Sequence, residues 1–105
     1  MKSHMRFCYT IKLSPVKIAI ADLTDLGNEG IYITRINVPE LFRGQGYGTA
    51  LLKMILADAD KEHLELKLEI HASGALNRTQ LKAWYKRYGF VKHKIGYYVR
   101  KAKES

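Results

Sequence analysis

Cysteine is almost absent from this chain of 105 residues, in which Cys8 is the only one. A lone cysteine cannot form an internal disulfide, which is typical of a reducing compartment, and we expect a cytoplasmic protein. Cys8 stands between Phe7 and Tyr9 with no activating partner nearby in the sequence. We interpret it as a small buried apolar residue rather than a nucleophile.

Long apolar runs are absent as well. No stretch approaches the roughly 18 apolar residues of a membrane-spanning helix, and the start does not resemble a signal peptide, so we expect no membrane association. Residues 1–4 resemble a cloning remnant before a native start at Met5. The 105 residues suffice for one domain, and the hydrophobic fraction of 47% suffices to build its core.

Acidic residues are scarce relative to basic ones, with 10 Asp and Glu against 18 Lys and Arg, a net charge of +8. This balance suits a polyanionic ligand, either a nucleic acid or the phosphates of coenzyme A. No single strand interleaves aromatic with basic residues and no recognition helix is recognisable, so a nucleic-acid partner is the less favoured alternative. We interpret the basic residues near the C-terminus as a solvated end: Lys92, Lys94, Arg100, Lys101 and Lys103.

The spacing of apolar residues predicts a mixed α/β sheet in the order β-β-β-α-β-α-β. Short turns join the first three strands into an antiparallel meander, and the third shows a phase slip between Ile33 and Ile36. A right-handed β-α-β crossover then makes the third and fourth strands parallel. The predicted strands are 5–13, 16–23, 31–38, 64–70 and one or two within 90–100, turning at Gly96; the helices are 48–61 and 79–88.

A glycine-rich loop, Arg43–Gly48, joins the third strand to the first helix. A helix N-terminus offers unpaired N–H groups and a positive dipole end, and glycines allow a phosphate to approach the backbone. The loop lacks the Gly-Lys-Ser/Thr of a Walker motif, and Thr49 stands where a dinucleotide fingerprint needs glycine. An ordinary glycine-rich turn is the alternative interpretation.

The loop matches the pattern Arg/Gln-x-x-Gly-x-Gly/Ala at Arg43, Gly46 and Gly48, and residues 38–52 resemble the strand, loop and helix of GNAT N-acetyltransferases. Residues 81–90 are similar to the aromatic-Tyr-x-x-x-Gly-Phe ending of that family's last helix. The resemblance covers roughly residues 16–100. It implies a short member of the family, with a reduced N-terminal part and acetyl-CoA as cofactor.

In such enzymes the third and fourth strands part to hold the pantetheine arm, and the loop amides hold the pyrophosphate. Asn77 is one position away from the family's asparagine, and Gln80 replaces an alanine that usually follows it. The cofactor-binding residues that the resemblance implies are Ile36, Asn37, Val38, Arg43, Gly44, Gln45, Gly46, Tyr47, Gly48, Thr49 and Asn77.

The implied reaction is direct attack of a primary amine on the thioester carbonyl, with no metal. Tyr85 falls where many members place a tyrosine that acts as general acid, although a core aromatic is the alternative. Glu69 and His71, on one face near the end of the fourth strand, are weaker candidates for the base, and water chains can replace both.

The reduced front end leads us to expect an acceptor pocket that is open, or completed by a second subunit in a homodimer. An open basic face suits a large or acidic acceptor, and protein lysines or N-termini, an aminoacyl-tRNA and a polyamine remain candidates. Two other functions stay open: a non-catalytic module that binds acyl-CoA, and a small basic nucleic-acid-binding domain.

Overall fold

The computed structural model describes residues 5–70 and 77–103, and this part of the chain folds as a mixed sheet with two helices on one face. The strands are β1 (Met5–Ser14), β2 (Lys17–Asp25), β3 (Ile31–Asn37), β4 (Leu66–Glu69), β5 (Val91–Lys94) and β6 (Tyr97–Arg100). The helices are α1 (Tyr47–Lys61) and α2 (Arg78–Arg87). Neither described helix is long and apolar enough to cross a lipid bilayer.

The strand order across the sheet is β1-β2-β3-β4-β6-β5. The antiparallel meander of β1, β2 and β3 and the parallel pairing of β3 with β4 are confirmed. The C-terminal stretch forms two strands, which turn at Ile95 and Gly96, and β6 inserts beside β4 as its antiparallel neighbour. The fold class predicted from the sequence is therefore confirmed.

A β-bulge interrupts β3 where the sequence shows its phase slip. Asp22 of β2 pairs with Arg35 while Leu23 pairs with Ile33, so Thr34 has no residue opposite it. The Thr34 hydroxyl donates a 3.0 Å hydrogen bond to the Asp22 carbonyl. Such a bulge bends the strand and increases its twist. It also keeps Ile33 and Ile36 on the face that the helices cover.

The core lies between the sheet and the two helices. α1 buries the stripe predicted from its periodicity, and these residues pack on alternate residues of β2, β3 and β4. Each large aliphatic side chain buried in this way contributes roughly 1.5–3 kcal/mol. The buried helix residues are Leu51, Leu52, Ile55, Leu56, Ala59 and Leu81.

β4 is shorter than the alternation predicts, because Leu64 belongs to the turn that follows α1. His63 takes a positive φ of 56°, and the Leu64 N–H donates a 2.8 Å hydrogen bond to the Ala59 carbonyl. The last carbonyls of a helix lack intrahelical partners, so this turn supplies one. The strand consequently begins at Leu66.

Two sequence interpretations of single residues are wrong. Cys8 is exposed, because it lies on the edge strand β1 opposite Asp22 and on the face away from the helices. Arg100 is only 3% exposed and forms a bidentate pair with Asp60, at 2.8 and 3.0 Å. Hydrogen bonds from Arg100 and from the Lys103 N–H lower the pKa of Asp60 to about 2.

Candidate active site

The site begins where β3 and β4 stop pairing. Their parallel ladder joins Ile31 to Leu66 and ends at Ile33 and Leu68. Beyond it β3 bulges and stays with β2, while Glu69 stays with β6. The gap holds a cavity of about 630 Å³, a volume typical of small-molecule sites.

Most of the predicted cofactor-binding residues meet in this cavity. It is walled by β3 and β4, by the glycine-rich loop, by the start of α1 and by α2. The predicted residues that line it are Ile36, Asn37, Val38, Arg43, Gly44, Gly46, Tyr47, Gly48 and Thr49. Gln45 is exposed and is not part of the described cavity wall.

The start of α1 provides backbone donors at the cavity wall. Gly46 precedes the helix with φ of 88°, and its carbonyl accepts the first intrahelical hydrogen bond, from the Ala50 N–H. Gly44 also has a positive φ of 80°, so the loop needs glycine at both positions. No described side chain caps this helix. The N–H groups of its first turn are therefore suited to an anion.

Arg43 braces the same loop against the sheet. Its Nε donates a 2.9 Å hydrogen bond to the carbonyl of Val38, just beyond the end of β3. The side chain is otherwise exposed and contributes to the cavity wall. Arg43 thus fixes the loop as well as placing a positive charge at the rim.

Tyr85 lines the cavity from α2, with its ring packed between neighbours. The ring centroids of Trp84 and Phe90 lie 4.9 and 5.5 Å away. Burial raises the pKa of Tyr85 to about 12, so its hydroxyl stays protonated and serves as a donor at neutral pH. Tyr85 thus packs against the core and also lines the cavity, and its role as general acid stays a prediction.

Trp84 is a site residue that the sequence analysis missed. Its Nε1 donates a 3.3 Å hydrogen bond to the Thr49 hydroxyl, which ties α2 to the first turn of α1 across the cavity. The adjacent Leu81 is buried and also lines the cavity. Leu81 and Trp84 are three residues apart and so share one face of α2, but nothing in the sequence showed that this face would meet α1.

The cavity passes between the strands to the opposite face of the sheet, where Arg35 and Glu69 lie. Arg35 pairs with the nearly buried Asp22 through Nε at 2.9 Å and Nη2 at 2.7 Å. Glu69 accepts a hydrogen bond from the Tyr97 hydroxyl, and its negative charge raises the pKa of Tyr97. The sequence analysis missed Asp22, although its single carboxylate among the apolar residues 18–23 was a signal that could have found it.

Asn77 lies at the start of α2 rather than in the described cavity wall. Its Oδ1 accepts a 2.9 Å hydrogen bond from the Gln80 N–H, and the Gln80 Oε1 accepts one of 2.9 Å from the Asn77 N–H. This capping box explains why Gln80 replaces the alanine of the family pattern. A contact of Asn77 with the cofactor stays a prediction, and His71 lies outside the described residues.

Among the described residues, no three His, Cys, Asp or Glu side chains gather where they could hold a metal ion. The candidate site therefore consists of backbone donors, a protonated phenol, an ion pair and a carboxylate around one cavity. Backbone donors can hold phosphates, while a phenol and a carboxylate can donate and accept protons.

The model of the acetyltransferase (GNAT) domain matches residues 16–101. An acetyltransferase from Bacillus cereus ATCC 14579 is 19% identical with a TM-score of 0.72, over 93% of this chain and 74% of that one. The ribosomal-protein-S18-alanine N-acetyltransferase of Escherichia coli is 20% identical with a TM-score of 0.75, over 95% and 71%.

The anti-CRISPR protein AcrVA5 is 16% identical with a TM-score of 0.65, over 88% of this chain and 96% of that one. At such identities the likeness to these three structures shows the fold alone. No curated protein sequence matches this chain significantly.

Proposed function

This chain belongs to the GNAT acetyltransferases, and from that premise we propose that it moves an acetyl group from acetyl-CoA to a primary amine. The observation that carries the proposal is the cavity between the parted strands β3 and β4. It joins the first turn of α1 on one side of the sheet to Glu69 on the other. Donor and acceptor can therefore meet in the gap from opposite faces.

The cofactor part of the proposal rests on backbone groups. The amides of Tyr47, Gly48 and Thr49 bind the pyrophosphate, since they lack intrahelical partners. The backbone from Ile36 of β3 to Val38, just beyond the strand, does not pair with β4, so its free edge binds the pantetheine amides as an added strand would.

The transfer needs one proton removed and one supplied. The amine nitrogen attacks the thioester carbonyl, and the tetrahedral intermediate expels the thiolate as the C–S bond breaks. Glu69, directly or through water, accepts the proton that the amine loses, and His71 remains the second proposed base. The Tyr85 hydroxyl, which stays protonated at neutral pH, donates its proton to the departing thiolate and regains one from solvent.

Two matched variants at Gly48 test cofactor binding. Gly48 has no positive φ, and a Cβ there would lie 3.8 Å from the Val38 Cγ2, an ordinary contact. We expect calorimetry to show micromolar binding of acetyl-CoA by wild type and by Gly48→Ala. Gly48→Glu places a carboxylate against the phosphates and should weaken binding about a hundredfold or more.

The Glu variant should fold, because an acidic residue in the first helical turn interacts favourably with the dipole. Circular dichroism checks this. If folded wild type does not bind acetyl-CoA, or if Gly48→Glu binds as tightly as Gly48→Ala, the cofactor assignment is wrong.

Transfer itself is measured as thiol release from acetyl-CoA with a panel of amines. The panel contains lysine peptides, peptides with free N-termini, a polyamine and an aminoacyl-tRNA. Release above background with one of them supports the enzyme. Tight cofactor binding with no release from any acceptor favours the non-catalytic acyl-CoA module.

We propose the cytoplasm as the location of the protein. The exposed free thiol of Cys8 is compatible with that reducing compartment.

A further inference from the structure

The sheet face opposite the helices, called the open face below, carries no described helix. α1 packs on the other face, and the hydrogen bond from Trp84 to Thr49 keeps α2 on that same side. Because successive residues of a strand point to opposite faces, the open face carries the residues that stand next to the buried core residues in the sequence. Apart from Asp22, its described side chains are exposed or half-buried.

Basic side chains dominate the open face. They come from four strands, and the strand register places them on the same face: Arg6, Lys12, Arg35, Lys67 and Lys94. Among the described side chains, the acidic ones on this face are Asp22, which pairs with Arg35, and Glu69, which accepts a hydrogen bond from Tyr97. The face therefore has a positive balance that suits an anionic partner.

Two tyrosines stand among these cations. Tyr32 of β3 and Tyr97 of β6 flank β4, and both are half-buried. The Lys67 Nζ lies 6.0 Å from the centroid of the Tyr32 ring, and the Lys94 Nζ lies 4.9 Å from that of Tyr97. These four side chains, together with His93, line a depression of about 140 Å³.

We propose that the open face binds single-stranded nucleic acid, with a base against the tyrosines of this depression and its phosphates on Lys67 and Lys94. Aromatic rings interleaved with ammonium groups on a sheet are the means by which proteins stack unpaired bases and neutralise a backbone. A duplex buries its bases, and an acidic peptide leaves the rings unused. A second copy of this chain would bring two positive faces together.

The proposal does not require acetyl transfer, because the depression and the cavity are lined by different residues, although Tyr97 of the depression donates a hydrogen bond to Glu69 at the cavity. Fluorescence anisotropy with a labelled single-stranded RNA of about 12 nucleotides, longer than one binding site of this size, measures the interaction. If the protein contacts about three phosphates, a plot of log affinity against log salt concentration should have a slope of about −2.

Variants on the two faces separate local contacts from total charge. Lys94→Glu should weaken binding about tenfold, whereas Lys53→Glu, the same charge change on the outer side of α1, should change it less than about twofold. Tyr97→Ala should weaken binding at least about fivefold, and Tyr97→Phe, which keeps the ring, should retain it.

Several results would overturn the proposal. These are no binding at low salt, equal losses in Lys94→Glu and Lys53→Glu, or a duplex of the same length binding as tightly as the single strand. Polyglutamate competing as well as RNA would assign the face to acidic peptides. Displacement of RNA by coenzyme A would place the RNA-binding site in the cavity instead. Dimerisation through the open face, seen by ultracentrifugation, would assign that face to a second copy of the chain. Acetyl-CoA calorimetry is read separately, so the two proposals fail independently.

Discussion

At the scale of single residues, Tyr85 combines packing with a polar function. Its ring packs between Trp84 and Phe90, and the residue lines the cavity. Burial disfavours the phenolate and raises the pKa to about 12. A group of this kind cannot act as a base at neutral pH, and it is suited to donate a proton or a hydrogen bond to a developing thiolate.

Tyr85→Phe tests this role, because it removes only the hydroxyl and keeps the packed ring. We expect kcat to fall about a hundredfold with the KM for acetyl-CoA and the melting temperature nearly unchanged. Steady-state thiol release and thermal unfolding measure these quantities. The control is Tyr88→Phe, directly after the same helix, whose ring is outside the described cavity wall and whose kcat should match wild type. Full activity of Tyr85→Phe would remove Tyr85 from the mechanism.

At the scale of elements, α2 supplies one wall of the site and depends on its first turn for its position. The helix has ten residues, of which only Leu81 is fully buried, while Trp84 and Tyr85 pack against the core in partly buried positions. The capping box of Asn77 and Gln80 satisfies backbone N–H groups that would otherwise lack partners. The cap therefore helps to place Trp84 and Tyr85 at the cavity.

Asn77→Ala should lower the free energy of unfolding by about 1 kcal/mol, because the helix loses its N-cap. Asn77→Ser retains a side-chain acceptor and should keep most of that stability. Urea denaturation measures both. We expect acetyl-CoA affinity to be unchanged in Asn77→Ser, since the Asn77 side chain is occupied by the cap. A marked loss of affinity in that stable variant would instead establish the cofactor contact that the family pattern implies.

At the scale of the whole molecule, the ion pair of Asp60 and Arg100 joins the end of α1 to the last strand. Arg100 is almost fully buried, and its Nε also donates to the Tyr88 carbonyl at 2.9 Å, beyond the end of α2. One guanidinium therefore connects both helices to β6. Removing its partner would leave a buried charge without a counter-charge, which is costly.

Asp60→Asn should destabilise the protein by roughly 3 kcal/mol at neutral pH. The folded-state pKa of Asp60, about 2, is below the ordinary value of 3.8. The stabilisation that its charge provides is therefore complete above pH 3.8. It is lost as the pH falls through about 2. The difference in the free energy of unfolding between wild type and Asp60→Asn should consequently narrow from about pH 4 to about pH 2.

Urea denaturation across this pH range measures the effect. The control is Asp58→Asn on the same helix, whose exposed carboxylate accepts a hydrogen bond from Tyr9. It should cost about 1 kcal/mol or less, because exposed pairs contribute little. Equal losses in the two variants would mean that Asp60 contributes no more than a surface carboxylate.

The sequence by itself determined whatever depends on neighbours within a few residues. Periodicity gave the meander, the crossover and the buried stripe of α1, and the phase slip after Ile33 marked the bulge. The glycines of the loop indicated where a phosphate can approach the backbone, whereas Tyr85 was indicated by the resemblance of residues 81–90 to the family's last helix. These features follow from local sterics and from burial of one face of an element, which a pattern of residue types records directly.

Only the tertiary structure decided which strands and helix ends become neighbours. Arg100 meets Asp60 across 40 positions of sequence, and Tyr32, Lys67 and Tyr97 share a face because β6 inserts beside β4. Each of their strands looks unremarkable alone, so the sequence showed no aromatic and basic surface. Cys8 is exposed for the same reason, since its strand lies at an edge. Residue types fix the elements, whereas the charges and cavities between elements arise only when distant segments pack together.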